Sequence, residues 1–211
     1  MILPIAVFCT FLIALSLLGL SLWKTFSFGR RKLFSEERGE KTKGIAYALG
    51  KGMLPWEKES ASRHLATYIG GVVYHAGVFV AIGYVLWLAA GGRLAGWLLT
   101  FLQIALSIGL VSGLALLIKR VVKPSMRAIS CADDFIANIL VDVLLLIGLI
   151  STLYSGWVPF YFVAACVLFI YTPLGKIRHC FYFFYSRILF GSYFGRRAVF
   201  PHNQHSYGGK R

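Results

Sequence analysis

The chain has 211 residues, with 22 Lys and Arg against 8 Asp and Glu, which gives a net charge of +14 at pH 7. Hydrophobic residues make up 58% and charged residues only 14%, against about a quarter charged in a soluble domain, so composition excludes a water-soluble globule and also a disordered chain. The basic residues fall between long apolar runs instead of covering one polar face, which excludes nucleic acid as the partner and makes a bilayer the solvent.

Taken in chain order, five runs reach the roughly 20 apolar residues that a spanning helix needs: 2–23, 65–90, 97–118, 135–154 and 157–175. The first, ILPIAVFCTFLIALSLLGLSLW, lacks a basic leader, is too long for a signal-peptide core and precedes no small-residue cleavage site, so a retained span is expected. A long polar segment, 24–64, comes next. Every Lys and Arg except Arg93 lies in that segment, in the 119–134 connection or in the tail from Lys176 onward. Excess Lys and Arg marks the cytoplasmic side, so the N-terminus is expected outside and the C-terminus inside. The expected fold is all-α: a polytopic five-transmembrane-helix bundle in the cytoplasmic (inner) membrane. Residues 1–197 would form a single membrane domain with a cytoplasmic loop 24–64, and 198–211 a basic cytoplasmic tail.

Trp23, Trp87, Trp97 and Trp157 sit at the ends of the runs, as interfacial aromatics do. The tail segment KIRHCFYFFYSRILFGSYFGRR alternates aromatic and basic residues and reads as a continuation of the last helix along the cytoplasmic face, anchored to lipid headgroups or docked to a partner. Cys9, Cys131, Cys166 and Cys180 have neither the spacing of a metal site nor a C-x-x-C motif, and read as small hydrophobes.

Ionisable groups inside apolar runs are costly and mark function by default. His75 lies about 15 Å along the second run at 1.5 Å per residue, and Asp142 lies within the fourth. His64 precedes the second run, 11 residues before His75, a spacing that on a continuous helix puts both rings on one face with Gly71; His179 comes after the fifth run. Gly70, Gly71, Gly77 and Gly83 thin the second run, which suits either close helix packing or a flat macrocycle. Two histidines on facing helices are the minimum that holds a haem iron from both sides. Asp142 is either a protonatable group or a hydrogen-bond partner of Asn138, one turn earlier.

Three segments, RHLATYIGGVVYHAGVF (63–79), LLIKRVVKPSMRAISCADD (116–134) and YTPLGKIRHCFYFFYSRILFGSYFGRR (171–197), together resemble the membrane cytochrome b subunit of respiratory nitrate reductase, the gamma subunit. Its relatives in heterodisulfide-reductase-type and sulfate-respiration electron-transfer complexes share the likeness, which covers roughly residues 60–197. The resemblance implies a five-helix bundle that binds haem b through histidines on helices 2 and 5 and passes electrons between quinone and a soluble iron–sulfur subunit. Carried over by position, His75 and His179 are the axial pair, with His64 as the alternative to His75. Tyr161 stands near the place where the family has a second helix-5 histidine, and residues 85–88 read Val-Leu-Trp-Leu where it has a later helix-2 ligand, so the resemblance implies one haem, not two.

On this reading Arg63, Lys176 and Arg178 are placed to pair with haem propionates, and Asp142 and His64 are the candidate protonatable groups for quinone or quinol. The chain would be an electron-transfer subunit, not a complete enzyme, docked through 24–62 and the tail to a cytoplasmic iron–sulfur protein and other subunits of a membrane complex, in contact with lipid. The rival readings are a haem-free membrane anchor of such a complex and a transporter, for which no inverted repeat is evident.

Overall fold

The structure is a computed structural model and describes residues 2–29 and 36–200, apart from the side chains of Glu59 and Ser60. Arg30, Arg31 and Lys32 of the long polar segment and residues 201–211 of the tail lie outside the described residues. Among those described there is no strand. The helices are α1 (Ile2–Ser27), α2 (Lys41–Leu49), α3 (Glu59–Arg63), α4 (Leu65–Ala89), α5 (Gly96–Val122), α6 (Pro124–Ala128), α7 (Ala132–Leu153), α8 (Val158–Tyr171) and α9 (His179–Arg196). The all-α expectation therefore stands.

Helices α1, α4, α5 and α7 are each long and apolar enough to cross a membrane. The fifth expected span is different. Helix α8 has 14 residues, about 21 Å of rise against a hydrocarbon core of about 30 Å, and counts as a span only when Ser155–Tyr171 is taken together with Lys176–Arg196. The break between them contains Pro173 and Gly175, and the Leu174 and Gly175 amides both turn back to the Tyr171 carbonyl at 2.9 Å. The tail is thus a separate helix and not an unbroken continuation.

The described chain divides into two compact units, with α1 running from one into the other. The first comprises residues 2–20 and 66–178, and α1, α4, α5, α7 and α8 all contribute to its core. Val7, Val85, Leu106, Leu144, Leu145 and Tyr161 are fully enclosed there. Outward-facing Phe79, Phe101 and Val111 are 60–67% exposed. An apolar surface of that kind suits hydrocarbon and not water. Trp23, Trp87, Trp97 and Trp157 are all exposed close to helix ends, as the aromatic-belt reading requires. Between α4 and α5, Gly91 (φ 84°) and Gly96 (φ 60°) make the tight turn that contains Arg93.

Hydrocarbon gives helices no hydrophobic reason to associate, so the contacts are set by shape. A Cβ built on Gly77 of α4 would come within 2.8 Å of the Gly109 Cα on α5, and one on Gly148 of α7 within 2.9 Å of the Tyr161 ring on α8. Gly70, Gly71 and Gly83 have nothing within 4 Å of such a Cβ. The glycines of the second run therefore do two jobs: Gly77 packs a helix, and the others face open space.

The second unit comprises residues 21–65 together with those from 179 onward. What reads in sequence as a loop folds into α2, two 3-10 turns (Lys51–Met53 and Pro55–Glu57) and α3. Helix α2 lies backbone to backbone against α9: Gly44 meets the Gly191 carbonyl and Gly195, and the Arg38 and Gly39 amides both donate to the Arg196 carbonyl at 2.9 Å. The latter bonds satisfy a C-terminal carbonyl of α9 that would otherwise be orphaned. Across the unit, Tyr47 donates its hydroxyl to Glu57 Oε2 at 2.7 Å and its ring stacks on Phe200 at 5.0 Å.

Two outcomes test this packing. Gly77→Ala is expected to lower the thermal midpoint in detergent, because overpacking costs about 1–3 kcal/mol, whereas Gly83→Ala should raise it slightly by removing a flexible helix residue. Burial, reinforced by the bond to Glu57 and its charge, pushes the Tyr47 phenol up to about 12 from 10. The folded state thus favours the neutral phenol, so Tyr47 adds stability that is complete below pH 10 and is lost as pH rises from 10 to 12. Hydrogen exchange of residues 41–49 across that window should accelerate in the wild type and show a shallower pH dependence in Tyr47→Phe.

Candidate functional site

The sequence-derived site residues fall into three settings. The first is His75, on the spanning helix α4. Its side chain is exposed, and its Nδ1 lies 2.6 Å from the Gly71 carbonyl one turn earlier. A carbonyl only accepts, so Nδ1 must carry the proton and donate it; the neutral ring then has its lone pair on Nε2. Fixing one ring nitrogen to a backbone carbonyl is how proteins orient an imidazole for coordination through the other. The Tyr74 ring stands edge-on to this imidazole, with centroids 6.2 Å apart. Gly71, which makes the bond, and Gly70 beside it border open space. The donor chemistry and the bare flank both fit an axial haem ligand.

The second setting comprises His64 and His179, which lie in the other unit, and the basic residues near them in sequence. His64 has φ −130° and ψ 44° and caps α3 instead of beginning α4, so the helical arithmetic that puts its ring on the His75 face does not apply: the backbone leaves helical geometry between the two. His179 is the first residue of α9. His64 and His179 belong to the second compact unit, and His75 belongs to the first. Both of the former are exposed, as are Arg63 and Arg178. Lys176 forms a salt bridge to Asp134 Oδ2 at 2.6 Å, and Arg120 reaches the other oxygen at 3.4 Å. Asp134 also accepts from the Cys131 amide at 2.9 Å, closing the N-terminus of α7.

The third setting is Asp142, which is only 5% exposed. The Asn138 Nδ2 donates to Asp142 Oδ2 at 2.9 Å, to the Tyr74 hydroxyl at 3.1 Å and to the Gly113 carbonyl at 3.5 Å, and the Tyr74 hydroxyl donates to the Asn138 carbonyl at 3.2 Å. A Cβ on Gly113 would collide with Asp142 Oδ1 and the Tyr74 ring. One polar knot therefore ties α4, α5 and α7 together. Asn138 is legible in sequence from its spacing; Tyr74 and Gly113 are not, since an aromatic or glycine in an apolar run gives no sign of a polar partner. Asp142 Oδ1 accepts no hydrogen bond among the described residues. Enclosed in this way, the carboxyl holds helices together and is walled off from lipid.

Tyr161 is fully buried, packs on Gly148 and donates to the Ala81 carbonyl of α4 at 2.6 Å. Its ring lies 5.7 Å from that of Tyr84. A groove of about 270 Å³ between α7 and α8 is lined by apolar side chains such as Leu140, Val143, Phe160 and Val167. Among the described residues, no cluster of three or more His, Cys, Asp or Glu side chains could hold a metal ion; a haem iron needs only two from the protein. All four cysteines are free.

Compared with protein-family models, with curated proteins and with solved structures, the chain finds no match in any of the three.

The polar knot makes an asymmetric prediction. Asn138→Leu strips Asp142 and Tyr74 of their shared partner and is expected to destabilise the protein by about 1–3 kcal/mol. Asp142→Asn keeps an acceptor oxygen and should change stability by less than about 1 kcal/mol. Thermal unfolding in detergent, monitored by circular dichroism, measures both.

Proposed function

We propose that this protein is a membrane cytochrome b subunit of a respiratory complex, relaying single electrons through one bis-histidine haem b between the quinone pool and a cytoplasmic iron–sulfur subunit. The observation that carries the reading is His75: an ionisable residue on a spanning helix, its Nδ1 held by the Gly71 carbonyl at 2.6 Å, its coordinating nitrogen on the other side, and a bare glycine flank beside it. The three segments that resemble the nitrate reductase gamma family supply the rest of the assignment, with His179 as the second ligand.

Bound haem supplies a one-electron carrier, which the chain's own residues would hold and orient. His75 and His179 would be the two residues that hold the iron, which would then serve electron transfer. Gly71 orients the His75 ring and raises its basicity. Arg63 and Arg178 offer cations for the propionates, while Lys176 is engaged by Asp134. Tyr161 fills the place of a second helix-5 ligand, which supports a single haem. With Asp142 enclosed, His64 is the better-placed proton-exchanging group for quinone chemistry. The distribution of Lys and Arg supports an inner-membrane location with a cytoplasmic C-terminus.

A second reading is favoured by one observation: His64 and His179 share a compact unit, which supports those two as the axial pair, with His75 satisfied by its own helix. A haem-free anchor is the remaining alternative.

Visible spectroscopy of the purified protein separates these. A reducible b-type Soret and alpha band is expected, lost in His179→Ala. On the first reading His75→Ala abolishes the bands and His64→Ala keeps them; the reverse outcome moves the ligand to His64. A colourless preparation leaves only the anchor.

A further inference from the structure

Asp142 lies about 15 Å along α7, nearly half-way through a helix of 22 residues and about 33 Å. Among the described residues no cation lies within ion-pair distance of it. The nearby charges are engaged elsewhere: on α5, Lys119 donates to the Thr67 hydroxyl and Arg120 pairs with Asp134, while on α7 Asp134 also pairs with Lys176. Neither α8 nor the part of α1 in this unit carries a charged residue. The α8 phenols are bonded too, Tyr161 to the Ala81 carbonyl and Tyr171 to Asp133. The titratable group that α4 turns toward the carboxyl is Tyr74; the ring of its neighbour His75 is bonded to Gly71.

This knot is short of hydrogens. The Asn138 amide has two to donate and three acceptors in reach, Asp142 Oδ2 at 2.9 Å, the Tyr74 oxygen at 3.1 Å and the Gly113 carbonyl at 3.5 Å. The Tyr74 phenol has one, for the Asn138 carbonyl at 3.2 Å or the adjacent Asp142 carboxyl. Asp142 Oδ1 is enclosed and accepts none among the described residues, although an ionised carboxylate takes up to about four. A carboxylate so placed bears the cost of leaving water with no counter-charge to offset it.

One more hydrogen removes both faults. Placed on Oδ1, it cancels the charge and turns an acceptor without a donor into a donor beside the Tyr74 phenol. The gap at Gly113 is filled by Oδ1 itself and the Tyr74 ring, which leaves space for a proton but not for the oxygen shell of a metal ion at about 2 Å or more. We propose that Asp142 is a proton-binding site that latches α4, α5 and α7 together: its carboxyl is the neutral acid at neutral pH, and the three helices loosen when that proton is lost to water. The latch operates with or without haem. The folded state holds a proton that the unfolded chain, its carboxyl in water, releases above about pH 4. The stability contributed by Asp142 is therefore greatest at low pH and falls as pH rises.

The sequence contains three aspartates, Asp133, Asp134 and Asp142, so infrared spectroscopy of the full-length protein in detergent, labelled with carbon-13 at the aspartate carboxyl, reads them selectively. Asp134 is ionised by its salt bridges, and Asp133 lies in the first turn of α7, where the helix dipole favours the charged form. The expected spectrum at pH 7 contains the C=O stretch of one protonated acid, which D142N removes. Chemical unfolding is then followed from pH 5 to pH 9, below the range in which Tyr47 titrates. The folding equilibrium constant of the wild type should fall relative to that of D142N by up to tenfold per pH unit, the slope of a single proton. D142N should fold, because its amide supplies the hydrogens that the knot lacks. Three outcomes overturn the proposal: three ionised aspartates in the labelled wild type at pH 7, a reading that needs no variant; a protonated signal that persists in D142N; or parallel pH profiles for the two proteins.

Discussion

Contact between backbones across glycine is the constraint on which this structure depends. Inside hydrocarbon, one apolar helix gains nothing by exchanging lipid for another apolar helix, so association must come from close packing and from polar groups with nowhere else to bond. Gly77 against Gly109, and Gly148 beneath the Tyr161 ring, provide the first kind; Asn138 with Tyr74 and Asp142, and Tyr161 with the Ala81 carbonyl, provide the second. The two kinds are combined at Gly113, where only a missing side chain leaves room for a carboxyl and a phenol. The second unit applies the same rule outside the spanning segments, with Gly44 set against Gly191 and Gly195.

This view changes the meaning of the intramembrane ionisable residues. A carboxyl at depth invites a proton-transfer role, yet Asp142 is bonded on one side and pressed against a glycine on the other, as a structural fastener is. His75 has the opposite character. Its ring is anchored at one nitrogen to its own helix, and its side chain is exposed. Cost of burial alone does not distinguish the two residues; the direction in which each is satisfied does.

The spanning helices were legible because an apolar run of some 20 residues has few alternatives in a bilayer, and four of the five agree with the structure to within a few residues at most ends. The polar segment 24–64 was not, since hydropathy does not register a nine-residue helix whose stability comes from one glycine face. The interruption after Tyr171 had a local signal in Pro173 and Gly175, overshadowed by the aromatic run Phe181–Tyr185 just downstream. Helical arithmetic placed His64 beside His75 only by assuming an unbroken helix, which the backbone at His64 does not provide. At the polar knot, Asn138 was predictable from spacing along one helix, while Tyr74 and Gly113 are brought in from other helices, a three-body arrangement that one-dimensional periodicity does not encode.

Because α9 starts afresh at His179, its angular phase is not inherited from α8. In an uninterrupted rod, one added or deleted residue would rotate everything downstream by about 100°, turning Gly191 and Gly195 away from α2. The turn at 172–178 absorbs such length changes locally, so α8 and α9 can diverge in sequence length without each forcing a compensating change in the other.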